Sequence, residues 1–370
     1  MLGFGTMRLP QTPDKQIDKQ TFAEMVELAI DSGVNYFDTA WPYHDGLSEV
    51  ALGEILSKYP RDSWYIADKF PGHQPAEHYD CEGIFRKQLN KCKVDYFDFY
   101  LLHNVGEFSI ETYMNPEIGI VDYFVEQKLL GKIKHLGFSS HATPAELERF
   151  LDSPFGKEME FCQIQLNYLD WTLQEAKRKC EILAARGIPV WVMEPLRGGK
   201  LATAADPSLA FRWLQRIPEV TVVLSGMSSL PQMEDNIKTF SELKPLTDDE
   251  TAQLEQIAEG LKDQLPCTGC RYCTEACPME LDIPKLVACL RDLRFQTSFT
   301  PTMIIEALPE DKQPSACLGC GACAQMCPQG IDIPSVMTEL ADLYAKAPKW
   351  RDICIEREKA AARLEAMNKQ

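Results

Sequence analysis

Along roughly the first two thirds of the chain, apolar and polar positions alternate in a repeating rhythm. The β-rich apolar runs are Leu2–Thr6, Val34–Ala40, Trp64–Phe70, Tyr96–His103, Ile133–Ser140, Phe161–Tyr168, Pro189–Pro195 and Val220–Gly226. Between them lie longer segments with helical spacing, such as Gln20–Ser32, Leu47–Tyr59, Asp122–Leu130, Pro144–Leu151 and Leu173–Arg186. Short runs rich in β-branched and aromatic residues read as strands, and apolar positions three and four apart read as helix faces. Thr143-Pro144 has the form of an N-cap followed by proline in the first turn, while Gly131 and Gly187 sit where helices stop. Strands alternating with helices predict right-handed βαβ units and a parallel sheet. Eight such units before residue 240 fit a closed (β/α)8 TIM barrel better than an open sheet.

The rhythm then breaks. Residues 247–265 read as one amphipathic helix with Thr247 as its cap and Pro266 as its stop. Beyond it the β-branched runs end and Cys, Gly and Pro take over, which predicts a barrel over 1–262 and a second, smaller domain over 263–370. That second part contains a repeat 50 residues apart: CTGCRYCTEACPMELDIP from Cys267 and CLGCGACAQMCPQGIDIP from Cys317. Both read C-x2-C-x2-C-x3-C-P, the spacing of bacterial two-cluster iron–sulfur proteins, in which the fourth cysteine ligates the other cluster. Cys267, Cys270, Cys273 and Cys327 are thus expected to hold one [4Fe–4S] cluster, and Cys317, Cys320, Cys323 and Cys277 a second. A zinc site is the alternative, but zinc motifs usually pair two C-x2-C units across a long loop. The long interval between the motifs has helical pattern (Pro284–Leu293, Thr302–Ala307), as does Pro334–Tyr344. This unit resembles the α-helical type of ferredoxin domain.

Composition narrows the field. The 370 residues are 45% hydrophobic and 25% charged, which excludes a wholly disordered chain. No apolar run approaches the ~20 residues needed to cross a bilayer, and the start of the chain lacks the pattern of a secretory signal. A net charge of −17 disfavours nucleic acid as a partner. The 14 cysteines, eight of them clustered, suggest metal binding in a reducing compartment, hence a cytoplasmic location. Cys81, Cys92, Cys162, Cys180, Cys289 and Cys354 read as small buried hydrophobes.

In such a barrel the chemistry sits where strands end. The second strand ends in Asp38-Thr39-Ala40 before Trp41-Pro42-Tyr43, the third in Asp68-Lys69-Phe70, and the fourth in Leu102-His103-Asn104. A carboxylate, a phenol, an amine and an imidazole are gathered on one face. At these residues the chain resembles the aldo-keto reductase family. The matching residues are Gly3-Phe4-Gly5-Thr6-Met7, Asp38-Thr39-Ala40 with Tyr43, Ser48-Glu49, Leu52-Gly53, Lys69, His103, Gly131-Lys132-Ile133 and Gly137-Phe138-Ser139. The resemblance covers residues 1 to about 245. It implies an NAD(P)-dependent oxidoreductase interconverting carbonyls and alcohols, with Asp38, Tyr43, Lys69 and His103 catalytic and Tyr43 as general acid/base. Physically, a phenol of pKa about 10 is a poor acid at neutral pH. The Lys69 ammonium would lower that pKa, Asp38 would hold Lys69 charged, and His103 would orient the carbonyl.

The same resemblance implies cofactor contacts at Gly5, Thr6, Met7, Asp38, Ser139, Ser140, Gln163, Met193, Pro195, Leu196, Arg197, Gly198, Ser225, Gly226, Met227, Gln232 and Asn236. Ser139 and Gln163 match carboxamide positions, and the loops from Leu196 and Ser225 match phosphate positions. Gln232 and Asn236 match the adenosine end. Gln163, Gln165 and Asn167 alternate, so all three should point into the barrel. Ser140 replaces a usual asparagine, and Met193 replaces the aromatic that stacks on nicotinamide. No basic residue stands at the 2′-phosphate places, Ser228 and Gln232. Trp41, His44, Phe70, Asn104, His141 and Trp171 lie in or near the loops that line a substrate pocket. His44 reads as a loop residue and His141 as an inert surface one.

The halves are harder to join. Nicotinamide passes two electrons and a cluster one, a flavin normally mediating, and no flavin motif is seen here. Three readings follow: a carbonyl reductase carrying structural or redox-sensing clusters; clusters that pass low-potential electrons to a partner flavoprotein or to a substrate radical near the barrel mouth; or an electron-transfer protein whose barrel is a scaffold or docking domain. The partners expected are a small carbonyl or alcohol substrate and, in the second reading, a redox partner protein.

Overall fold

The computed structural model describes residues 1–262, 265, 267, 269–295 and 299–367. Eight strands, β1 Leu2–Gly5, β2 Tyr36–Asp38, β3 Tyr65–Phe70, β4 Phe97–Leu102, β5 Ile133–Ser140, β6 Cys162–Gln165, β7 Val190–Met193 and β8 Val220–Ser225, pair in order and close into a barrel. Every pairing is parallel, including β1 with β8. Each strand lies inside its expected run; β5 fills its run, and the other seven are shorter because the flanking residues turn into the loops. The barrel interior is filled, not hollow: Tyr36, Ala67, Leu101, Phe161, Trp191, Val222 and Leu224 pack as a plug below the strand ends.

Local sequence explains the helix ends. The Thr143 hydroxyl accepts from the Glu146 N–H and Pro144 opens the helix Pro144–Asp152. Helix Asp248–Lys262 begins in a capping box: Thr247 Oγ1 accepts from the Glu250 N–H at 3.2 Å, and Glu250 Oε2 accepts from the Thr247 N–H at 2.8 Å. This helix buries Leu254 and Ala258 against the barrel. Its expected stop, Pro266, lies outside the described residues, as do residues 263 and 264 just past the expected boundary.

The C-terminal unit repeats its structure at the interval of its sequence. Short helices Tyr272–Glu275 and Ala322–Gln325 correspond, as do the long helices Ile283–Phe295 and Ile333–Lys346. Left-handed backbone recurs with them at Gly269 and Gly319, Arg271 and Gly321, and Glu280 and Gly330. The two long helices pack on each other through Leu286, Leu290, Val336, Met337 and Leu340. A further helix, Trp350–Met367, returns to the barrel. No segment named from the sequence covers it.

Candidate active site and cysteine pockets

The C-terminal strand ends surround a cavity of about 1050 Å³. Asp38 ends β2 and Lys69 lies one residue before the end of β3, so strand register sets them side by side. Lys69 Nζ donates to Asp38 Oδ1 at 2.5 Å and to the Thr39 carbonyl at 2.6 Å, and both side chains are buried. The Tyr43 ring centroid lies 5.1 Å from the Lys69 ammonium. His103 meets the Tyr43 ring edge-on, with centroids 6.1 Å apart. Asp38, Tyr43 and His103 line the cavity; Lys69 stands behind its wall. The four residues are therefore brought together.

Charge follows burial. Burial opposes the Lys69 ammonium, but Asp38 and Tyr43 outweigh it and hold it charged beyond the usual lysine range. For Tyr43 the expected direction needs correction: burial raises the phenol above its usual value, and the downward pull of Lys69 does not overcome it. Burial, then the neighbouring His73, presses His103 well below the ordinary imidazole range, so it is a neutral ring at neutral pH. His73 touches it, with centroids 4.3 Å apart, and is itself pushed down to about 3.

The cofactor positions sort themselves. Gly5, Met7, Ser139, Gln163, Met193, Pro195, Leu196, Arg197, Gly198, Ser225, Gly226, Met227, Gln232 and Asn236 all line the cavity. Thr6 and Ser140 do not: Thr6 donates to the Asp38 carbonyl at 2.9 Å, and Ser140 to the Val105 carbonyl at 2.7 Å. Arg197 lines the cavity with its guanidinium already engaged: it donates to both Asp170 oxygens, at 3.0 and 2.9 Å, and to Asp292 of the C-terminal unit. Gln163 faces Asp38, whereas Gln165 and Asn167 both donate to Asp170. The polar stripe on β6 thus ends in the same carboxylate that holds Arg197.

Other pocket expectations change. Phe70 is fully buried against Phe124, Trp41 carries the Lys91 ammonium on its ring, and Trp171 packs edge-on against Trp213; none lines the cavity. His44 and Asn104 do line it. His141 is not an inert surface residue: it faces the cavity, and burial with the nearby Lys179 cation drives it to about 4. Several cavity residues are not legible in the sequence, among them Glu194, Arg8 and Lys238. Glu194, left-handed at φ 52 before Pro195, lines the cavity, and burial raises it to about 7. Arg8 and Lys238 line the cavity beside the residues expected to meet phosphates. Only their spacing from Met7 and Asn236 hinted at this.

A dinucleotide fits this donor set. The cavity runs continuously from His103 to Asn236, with open backbone at Gly198 and Gly226 and cations at the β1 and β8 ends. In the C-terminal unit, Cys267, Cys270, Cys273 and Cys327 line one small pocket, and Cys277, Cys317, Cys320 and Cys323 line another. None of the eight is in a disulfide. Each pocket takes three cysteines from one motif and one from the other, the donor set an iron–sulfur cluster requires.

Comparison with known proteins agrees with both halves. The Aldo/keto reductase family model matches residues 1–208, and a 4Fe-4S dicluster domain model matches residues 266–331. The L-galactose dehydrogenase of Arabidopsis thaliana is 24% identical over 303 residues, covering 71% of this chain and 91% of that protein. The NADH-specific methylglyoxal reductase of Escherichia coli is 22% identical, covering 70% and 95% respectively. The fold matches that of the aldo-keto reductase AKR11C1 from Bacillus halodurans with a TM-score of 0.56 at 23% identity, over 69% of this chain and 91% of that one. With a barrel, a gathered strand-end site and cysteine pockets in hand, the chain belongs to the aldo/keto reductase family and is an oxidoreductase with a C-terminal 4Fe-4S domain.

Proposed function

We propose that the protein is an NAD(P)H-dependent carbonyl reductase, divided near residue 262 into its barrel and a unit holding two [4Fe–4S] clusters. The observation that carries this reading is the buried Lys69–Asp38 pair at 2.5 Å beside the Tyr43 ring. A reduced nicotinamide, held by the cavity residues, would supply the hydride that the carbonyl carbon takes up. Tyr43 supplies the proton to the oxygen, so that aldehyde or ketone becomes alcohol. Lys69 stabilises the phenolate left behind, and Asp38 holds Lys69 in place. Neutral His103 orients the carbonyl oxygen by hydrogen bonding without competing as an acid. Ser139 and Gln163 face the cavity where the carboxamide is expected. Asn236 holds Ser225 through Nδ2 at 2.8 Å, shaping the loop after β8. Arg8 and Lys238 are the cations offered to the cofactor's phosphates; Arg197, already paired, shapes its loop instead.

The crossed cysteine pockets support one cluster on Cys267, Cys270, Cys273 and Cys327 and another on Cys277, Cys317, Cys320 and Cys323. Bound there, clusters supply one-electron chemistry or rigidity. One observation favours the electron-relay reading as a second possibility. On a single helix, Arg291 donates to the Cys267 carbonyl and its neighbour Asp292 holds Arg197 of the loop after β7. The first reading is tested by oxidation of NADH or NADPH with small aldehydes. Turnover that is lost in Tyr43→Phe and kept when the clusters are oxidatively removed supports it. Dye reduction that needs the cysteines, without carbonyl turnover, supports the relay.

A further inference from the structure

The cavity is not closed by the barrel alone. Phe299, Met303, Trp350 and Arg357, all from beyond residue 262, line it together with Tyr43 and His103. The helix that carries two of them is pinned at its start: Glu306 accepts from the Trp350 N–H at 2.8 Å, and Trp350 Nε1 donates to the His73 carbonyl at 3.3 Å. The Trp350 ring stacks on His73, which touches His103. Arg357 stands seven residues further on, two turns along the same helix face. Its guanidinium lies 5.6 Å from the Trp350 ring centroid, and its charge is felt at both His73 and His103.

Several of the cations around this cavity have partners, and Arg8 lies with the residues expected to meet the cofactor's phosphates. Lys69 has Asp38, Arg197 has Asp170 and Asp292, and Arg212 has Glu250. Arg357 makes no salt bridge or hydrogen bond with any described residue. Beside it, Nδ1 of His73 and Nδ1 of His103 are buried without a partner. A half-buried cation against aromatic walls has lost water that a fitting anion replaces. The cofactor's phosphates are expected across the barrel, at the ends of β7 and β8, so they do not account for it.

We propose that Arg357 is a specificity-determining anion anchor, and that the carbonyl substrate is a small one carrying a carboxylate or phosphate. The inference rests on the carbonyl-reductase reading and deepens it. Phe299, Met303 and Trp350 limit the length of what fits between the anchor and Tyr43.

The test uses the cluster-loaded full chain and matched pairs. These are glyoxylate against methyl glyoxylate, and glyceraldehyde 3-phosphate against glyceraldehyde. The wild type is expected to prefer an anionic member, and which pair shows it separates carboxylate from phosphate. Arg357→Gln is expected to lower kcat/KM for that member about tenfold or more, through KM, with little change for its neutral counterpart. Arg357→Lys should recover part of the loss. Equal visible iron–sulfur absorbance in wild type and variants shows that the fold is kept. Preference for the neutral members, or an equal loss for both, overturns the proposal and leaves the reductase reading standing. If no carbonyl is turned over, that reading fails, and calorimetry with oxamate and with inorganic phosphate decides the anchor by itself. Binding of either that Arg357→Gln abolishes supports it, and binding of neither to wild type overturns it.

Discussion

In the barrel, Lys69 is 1% exposed and its ammonium is fixed by Asp38 and a strand-end carbonyl. In the C-terminal unit, Cys270 and Cys320 lie exposed on loops, and their small pockets are walled by the thiols themselves. The barrel organises its reactive groups through a continuous apolar core and strand register, with no ligand needed. The smaller unit has a thin core, centred on two packed helices, and depends on what the cysteines hold. One site is preorganised by folding; the other is completed by binding.

The largest expected effect tests the dependent half. Cys277→Ser should remove about half the iron and melt the second motif rather than its own, because Cys277 lines the pocket of Cys317, Cys320 and Cys323. Barrel circular dichroism should persist. Iron analysis and a two-step thermal melt check this, and loss of the cluster of the first motif instead would reverse the pairing. Next, Tyr43→Phe should lower kcat by about 10²–10⁴ with an unchanged melting curve, the mark of a preorganised site. Lys69→Met should do comparable kinetic damage and also destabilise the barrel by about 3–5 kcal/mol, since Asp38 is left buried and unpaired. Denaturant titration separates the two variants.

The smallest effect concerns pH. Glu194 is raised to about 7 by burial, with Asp170 adding to the rise and Arg197 opposing it. A raised carboxyl stabilises the fold fully below its unfolded value, and that contribution is lost as pH climbs through about 7. Ionised Glu194 also adds negative charge to the cavity proposed to take the dinucleotide. The KM for the dinucleotide should therefore rise above about pH 7, and Glu194→Gln should flatten both trends. Cofactor titrations at pH 6 and 8, together with melting curves, measure it.

Much of this was legible in sequence order. The strand runs were readable because parallel strands buried on both faces are nearly continuous in Val, Ile, Phe and Tyr. Asp38, Tyr43, Lys69 and His103 could be placed because each follows or ends such a run. The crossed cysteines were readable from spacing alone. What could not be read were partners far away in the chain. Arg197 looked free for phosphate because Asp292 lies 95 residues further on. His141 looked exposed because nothing local reports a cavity behind it. The direction of the Tyr43 shift is not legible, because adjacency to a lysine is visible in sequence and the extent of burial is not. Helix Trp350–Met367, rich in charge, gave no sign that one of its faces roofs an active site.

That roof comes from a different part of the chain. Asp38, Tyr43, Lys69 and His103 belong wholly to the barrel, whereas Trp350 and Arg357 come from the C-terminal helix. A shift in how that helix packs would redraw the cavity's ceiling while leaving Asp38, Tyr43, Lys69 and His103 seated on the strand ends.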